Sequence, residues 1–257
     1  MARIRLDRRK DYKEQLRLFV TLSNAVRIQI RELFKKYSNR ASREFLRDLK
    51  ISDNYYVDFY NDLLDILIRS STKIIEEIDI RLKRTRMVKQ NEEIDPIVSA
   101  YISQFTANNV GDITETTRKY IKKEIELGIE AGLEIGTIAS NIRKSTAFKP
   151  TRSTLIARTE SHQAMNFGSL EVAKKMGLKK PIKEWASALD ERTRSWHSTM
   201  SGKRVDVDKD FTVQTPVKGG GIIEKPMAYP GDAKGGASNV INCRCFVLYY
   251  DSDDIVD

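Results

Sequence analysis

Apolar side chains recur at steps of three or four through the first 150 residues, the period of amphipathic helices. Phe19, Leu22, Val26, Ile30, Leu33 and Tyr37 make one such face, with Arg17, Arg27, Arg31 and Lys35 on the more polar side. A second helix is predicted over residues 54–86, on a seam of Val57, Tyr60, Leu64, Leu67, Ile74, Ile78 and Leu82. Its closing Arg81, Lys83, Arg84 and Arg86 suit the negative end of a helix dipole. Asp95-Pro96 opens a short third helix, since proline is tolerated in a first turn. A fourth is predicted from Asp112, with Glu115 three residues on as a capping-box-like pair.

Gly128, Gly132 and Gly136 then recur every four residues. Three glycines inside one helix cost roughly 3 kcal/mol relative to alanines. A break near Ala131-Gly132 is therefore predicted, the alternative being a flat glycine ridge for close helix packing. Lys149-Pro150-Thr151 reads as a linker, followed by a helix that ends at Gly177. From Lys183 the period shortens. KEWASAL reads as a strand, Val205–Val213 is mixed, and 218–221 and 229–236 are Gly/Pro-rich loops. Cys243–Tyr250 alternates into a closing strand, with WASAL its partner by character. The fold class is α+β: a mainly helical N-terminal region, then a small α+β C-terminal module with a short antiparallel sheet. The expected division is 1–110 as a basic helical region, 111–250 as the second domain with its sheet in 183–250, and 251–257 as an acidic tail.

Charge changes the picture at one end only. Residues 1–50 hold 15 basic and 6 acidic side chains, and the remainder holds 30 of each. The whole net charge of +9 thus sits in the first fifth of the chain. Such an arm suggests a polyanion, nucleic acid first and an acidic protein surface second, or simply a solubilising helix face. Arg3, Arg5, Arg8, Arg9 and Lys10 are the candidate DNA contacts. No run of about 18 apolar residues exists, so no membrane span is expected. The basic start has no apolar stretch behind it and does not read as a secretory signal.

Both cysteines lie in Cys243-Arg244-Cys245. In a strand, residues two apart face the same side, which disfavours an internal disulfide and lets both thiols approach one ion. His197 is the better third ligand of two histidines, and a fourth would be an oxygen such as Asp190 or Asp232. The other reading, preferred on sequence alone, is two buried thiols beside a hydrogen-bonded histidine, with no cofactor; zinc is the alternative. Asp190, Arg192, Arg194 and His197 fall within eight residues, and an Asp–His pair suits acid–base chemistry. No persuasive nucleophile accompanies them, and Gly219-Gly220-Gly221 lacks the spacing of a phosphate loop. A structural salt-bridge network is the plainer reading.

ARTESHQAMNFG, KEWASALDERTRSWHSTMSGKRV and YPGDAKGGASNVINCRCFV, in that order, resemble the Mu F-like head morphogenesis (minor head) proteins of tailed bacteriophages. The resemblance covers about residues 110–250 and carries over Arg158, Glu160, Trp185, Asp190, Arg192, Arg194, His197, Gly202, Pro230, Cys243 and Cys245. It implies a non-enzymatic protein in few copies inside the virion near the portal vertex, made in the bacterial host cytoplasm. The implied partners are the portal protein, double-stranded DNA without sequence preference, and a scaffold or major capsid protein, with no membrane. The implied role is head assembly and later DNA delivery. Relatives with an extra Cys or His near the histidine block hold a fuller metal set, where this chain has Arg194 and Trp196. Relatives are also fused to toxin or transferase domains, for which these 257 residues are expected to leave no room. The rival is a metal-dependent nuclease or toxin-like enzyme using Asp190 and His197.

Overall fold

The computed structural model describes residues 8–86, 95–175, 178–188 and 190–252. Arg3 and Arg5, Gly177 and most of the acidic tail lie outside them, as do the side chains of Arg8, Arg9, Lys83, Arg84 and Arg86. The elements run α1 Arg8–Asp48, α2 Asp53–Arg86, α3 Asp95–Tyr101, a π turn Ile102–Thr106, α4 Ala107–Glu130, α5 Ile135–Lys144 and α6 Pro150–Lys175. Then come β1 Pro181–Ala186, α7 Ser195–Ser198, β2 Arg204–Asp206, β3 Phe211–Pro216, β4 Ile222–Met227, α8 Ala237–Val240 and β5 Phe246–Asp251. The chain is α+β, helical first and with a small antiparallel sheet last. No described helix is long and apolar enough to cross a membrane.

Two compact units are assembled from interleaved segments, whereas the division at residue 110 follows chain order. One unit takes residues up to Ser23, Ser71–Tyr101 and those from Thr159; the other takes Asn24–Ser70 and Ile102–Arg158. The second unit packs an aromatic cluster: Tyr37 lies edge-on to Tyr55 and Phe59 at 5.4 and 5.2 Å, with Phe34 against Phe59. Ser52 caps α2 by accepting from the Tyr55 amide at 3.3 Å, so a helix amide that lacks an intrahelical partner is satisfied. Arg152 is held by neutral groups, donating to Thr117 Oγ1 and the carbonyls of Ala147 and Ile113 at 2.8–3.0 Å. Burial pulls its guanidinium down to about 10.

Several expectations need correction here. Leu67, Ile74 and Ile78 of the expected α2 seam are buried, but Val57 is exposed, and in the first turns the buried face runs through Tyr55, Tyr56, Phe59 and Leu63. Both registers have helical spacing, and the face with more aromatic area takes the interior. The fourth helix starts at Ala107, five residues before Asp112, and Glu115 pairs with Arg118 at 3.4 Å rather than capping. Pro150 is the first residue of α6 and not part of a linker. The glycine run breaks the helix as expected, and only Gly128 is closely approached, so no three-glycine ridge forms. Gly132 takes φ +64° at the break, while a Cβ on Gly128 would fall 2.5 Å from Ile138.

In the first unit, β1 is the central strand of a sheet ordered β2-β1-β5, antiparallel throughout. Trp185 stands opposite Val247 and Ala186 opposite Phe246, the partnership expected for WASAL and the closing strand. Side chains satisfy the outer edge of β5: Gln15 Nε2 donates to the Val247 carbonyl at 3.1 Å, and Asn166 Oδ1 accepts from its amide at 3.3 Å. The first turns of α1 and the middle of α6 thus close the sheet. β3 and β4 form a separate hairpin across Lys218–Gly221, a stretch read from sequence as mixed and loop.

Candidate metal centre

Three short pieces bring the site together. Gly202, at φ +83°, turns the chain so that its amide donates to the Trp185 carbonyl at 2.8 Å, setting the α7 segment against the end of β1. α7 carries His197, and the extended run before β5 carries Cys243 and Cys245. The cysteines lie outside the ladder, just ahead of the strand expected to hold them. Both thiols nonetheless face inward, and all three side chains are buried. His197 Nδ1 lies 3.6 Å from Cys243 Sγ and 3.7 Å from Cys245 Sγ. The ligand atoms of the three residues lie within 4.8 Å of one another.

The imidazole is oriented by Asn239 on α8. Asn239 Nδ2 donates to Thr215 Oγ1 at 2.8 Å and to the Gly235 carbonyl at 2.9 Å. Its Oδ1 therefore accepts, from Trp196 Nε1 at 2.8 Å and from His197 Nε2 at 3.0 Å. His197 thus carries its proton on Nε2 and presents the Nδ1 lone pair to the two sulfurs. The Trp185 ring stands edge-on to the imidazole, centroids 5.4 Å apart. Hydrogen bonding to Cys245 and burial hold the Cys243 thiol well above its usual range, leaving Cys245 the readier to lose its proton. Ser187 Oγ donates to the His197 carbonyl at 2.5 Å and lies 3.7 Å from Cys245 Sγ.

Of the other residues singled out from sequence, few join this cluster. Asp190 forms a two-pronged pair with Arg244, which faces away from the thiols, and accepts from Thr193 Oγ1 at 3.1 Å. The Arg244 guanidinium holds its carboxyl well below the usual carboxylate range. With Asp190 committed to Arg244 and His197 to Asn239, the acid–base pair of the rival reading is not formed. Neither proposed oxygen ligand reaches the site: Asp232 is spent on the amides of Ala228 and Lys234 at 2.7 and 3.0 Å. Arg194 Nη2 donates to the Ile241 carbonyl at 2.7 Å, and Arg192 is exposed, 3.8 Å from Asp190. Arg158 is exposed, while Glu160 and Pro230 are buried. Thr159 Oγ1 accepts from the Asn242 amide at 3.1 Å, tying α6 to the segment before Cys243. Asn239 and Thr215 were missed, because their only sequence signal is an amide and a hydroxyl among many.

A model described as Phage Mu protein F like protein matches residues 119–248. The chain belongs to that family and is a phage head morphogenesis protein of the virion. It is 24% identical to Minor head protein GP7 of Bacillus phage SPP1 over 266 residues, covering 91% of this chain and 80% of that protein. It is also 30% identical over 131 residues to NAD(+)--arginine ADP-ribosyltransferase EFV of Enterococcus faecalis (strain ATCC 700802 / V583). That match spans 50% of this chain and only 25% of the transferase. No solved structure matches.

Proposed function

We propose that this minor head protein docks on the portal protein inside the capsid, near the portal vertex, and contacts packaged double-stranded DNA without sequence preference. It acts in few copies, in head assembly and again in DNA ejection, with the scaffold or major capsid protein as further partners. The observation that carries the DNA contact is the exposed basic face of α1. Lys13 and Arg17 are exposed one turn apart in the first unit, and Arg31 and Lys35 are exposed one turn apart in the second. Lys10 is exposed as well. Side chains so placed suit phosphates read by charge and not by base. The docking rests on what the resemblance to the Mu F-like minor head proteins implies.

The test has two arms. Duplex binding by fluorescence anisotropy over a salt series should give a log–log slope of roughly −4 to −5 if about five phosphates are neutralised. Changing Lys13, Arg17, Arg31 and Lys35 to glutamine should flatten the slope by roughly one for each phosphate no longer neutralised. An unchanged slope removes α1 as the DNA-binding face, and no binding at low salt removes the DNA role. In the second arm the chain is co-expressed with the portal protein of the same phage, and a co-eluting complex is expected. Separate elution would overturn the docking.

A further inference from the structure

We propose that His197, Cys243 and Cys245 bind one zinc ion, and that Thr215 and Asn239 set the imidazole for it. The first argument is geometric. With Zn–S about 2.3 Å, Zn–N about 2.0–2.1 Å and tetrahedral angles, bound nitrogen and sulfur stand about 3.6 Å apart. The two N···S distances here are 3.6 and 3.7 Å. Both sulfurs sit at nearly the same distance from the one Nδ1 lone pair, as two ligands of the same ion would. A single ion between the three atoms satisfies all of them.

The second argument is the proton already placed. A histidine ligand donates through its other nitrogen to an oxygen that fixes tautomer and ring orientation. Asn239 Oδ1 does this to Nε2 at 3.0 Å, and Asn239 is itself held by Thr215 Oγ1 and the Gly235 carbonyl.

Among the described residues no fourth His, Cys, Asp or Glu joins the group. Ser187 lines the remaining side with its hydroxyl committed to the His197 carbonyl, so the fourth position suits a water. The ion would clip the α7 segment to the run before β5, 46 and 48 residues on along the chain.

The experiment uses the full chain purified without chelator. Elemental analysis should find one zinc per chain. Protein stripped by chelator and reloaded with cobalt should show thiolate-to-cobalt charge-transfer absorption, and its thermal midpoint should rise with zinc. Zinc should also protect both thiols from a thiol reagent. Asn239→Ala leaves all three ligands in place and should weaken zinc affinity roughly 10–100-fold, with Thr215→Val, one group further out, weakening it less. Because Cys243→Ser or His197→Asn variants can fail to fold, the wild-type chain decides. If it retains no metal and reloads with neither ion, its thiols reacting alike with and without zinc, the site is packing and the proposal is overturned. Retention of copper in place of zinc overturns the choice of ion.

Discussion

Lys183 sends its ammonium to the carbonyl oxygen of Ala228, 2.8 Å away, a neutral partner rather than a carboxylate. Its neighbour Glu184, also buried, has Arg204 Nε at 2.8 Å directly across the β1–β2 pair. The Phe211 ring lies under the lysine at 5.4 Å. One carbonyl and one ring face repay only part of the water the ammonium has lost, and burial pulls Lys183 down to about 8 from 10.5.

That shift has a sign. Between about pH 10.5 and about 8 the unfolded chain holds a proton the folded chain does not, so stability falls as pH falls through this window. Below it the full penalty is on the order of 3 kcal/mol. Lys183→Met keeps the length of the side chain and removes the charge. Its urea midpoint at pH 7 should equal or exceed that of the parent, and the parent's decline across the window should be missing. A variant much less stable at pH 7, with an unchanged pH profile, would show that the ammonium is well solvated.

Gly231 tests the packing of the Pro-Gly-Asp loop on α6. It has φ +91°, and a Cβ there would lie 2.7 Å from His162 Nδ1. Gly219 has φ +98° with nothing within 4 Å. Gly219→Ala should therefore cost only backbone strain, about 1–2 kcal/mol. Gly231→Ala adds overpacking against a fully buried ring, roughly 1–3 kcal/mol more. Equal losses in chemical denaturation would mean that the loop moves away from His162 freely.

The α2 seam can be mapped with three substitutions. Leu67→Arg puts an unpaired charge where Leu67 is 1% exposed, and should abolish cooperative unfolding. Val57→Arg and Glu76→Arg lie on exposed positions and should each shift stability by about 0.5 kcal/mol or less. Loss of folding in Val57→Arg would put Val57 on the buried face of α2 after all.

The legible parts of this chain were those where one period dominates. The buried face of α1 repeats Phe19, Val26, Ile30, Leu33 and Tyr37 without a competitor, so its register followed from spacing alone. α2 offers two apolar registers of helical period, and only packing chooses Tyr55, Phe59 and Leu63 over Val57, Tyr60 and Leu64. The β3–β4 hairpin stayed hidden because β4, IIEKPM, is largely exposed and does not alternate, though Phe211, Val213 and Thr215 do. Within the site, the thiols and His197 announced themselves by type and spacing. Asn239 did not, since its role comes from the groups folded around it and not from any local pattern.

The charge of the N-terminus invites removal of residues 1–50 as the test of DNA binding, but the first turns of α1 are structural. Tyr12 Oη donates to the Arg244 carbonyl at 3.2 Å, and its ring lies 5.5 Å from that of Phe246. Phe19 packs edge-on to Phe246 and His162 at 5.8 and 5.9 Å and is 3% exposed. Gln15 satisfies the Val247 carbonyl at the sheet edge. Truncation would expose that edge, strip Phe246 and reopen the cover over His162, so any loss of DNA binding would report unfolding. Phe19→Ala alone should cost about 3–5 kcal/mol, measured by urea denaturation. Lys13→Gln with Arg17→Gln disturbs none of these and should leave the midpoint within about 0.5 kcal/mol. If Phe19→Ala is as mild as the charge pair, α1 is not part of the sheet's cover, and truncation becomes a fair test of the basic arm.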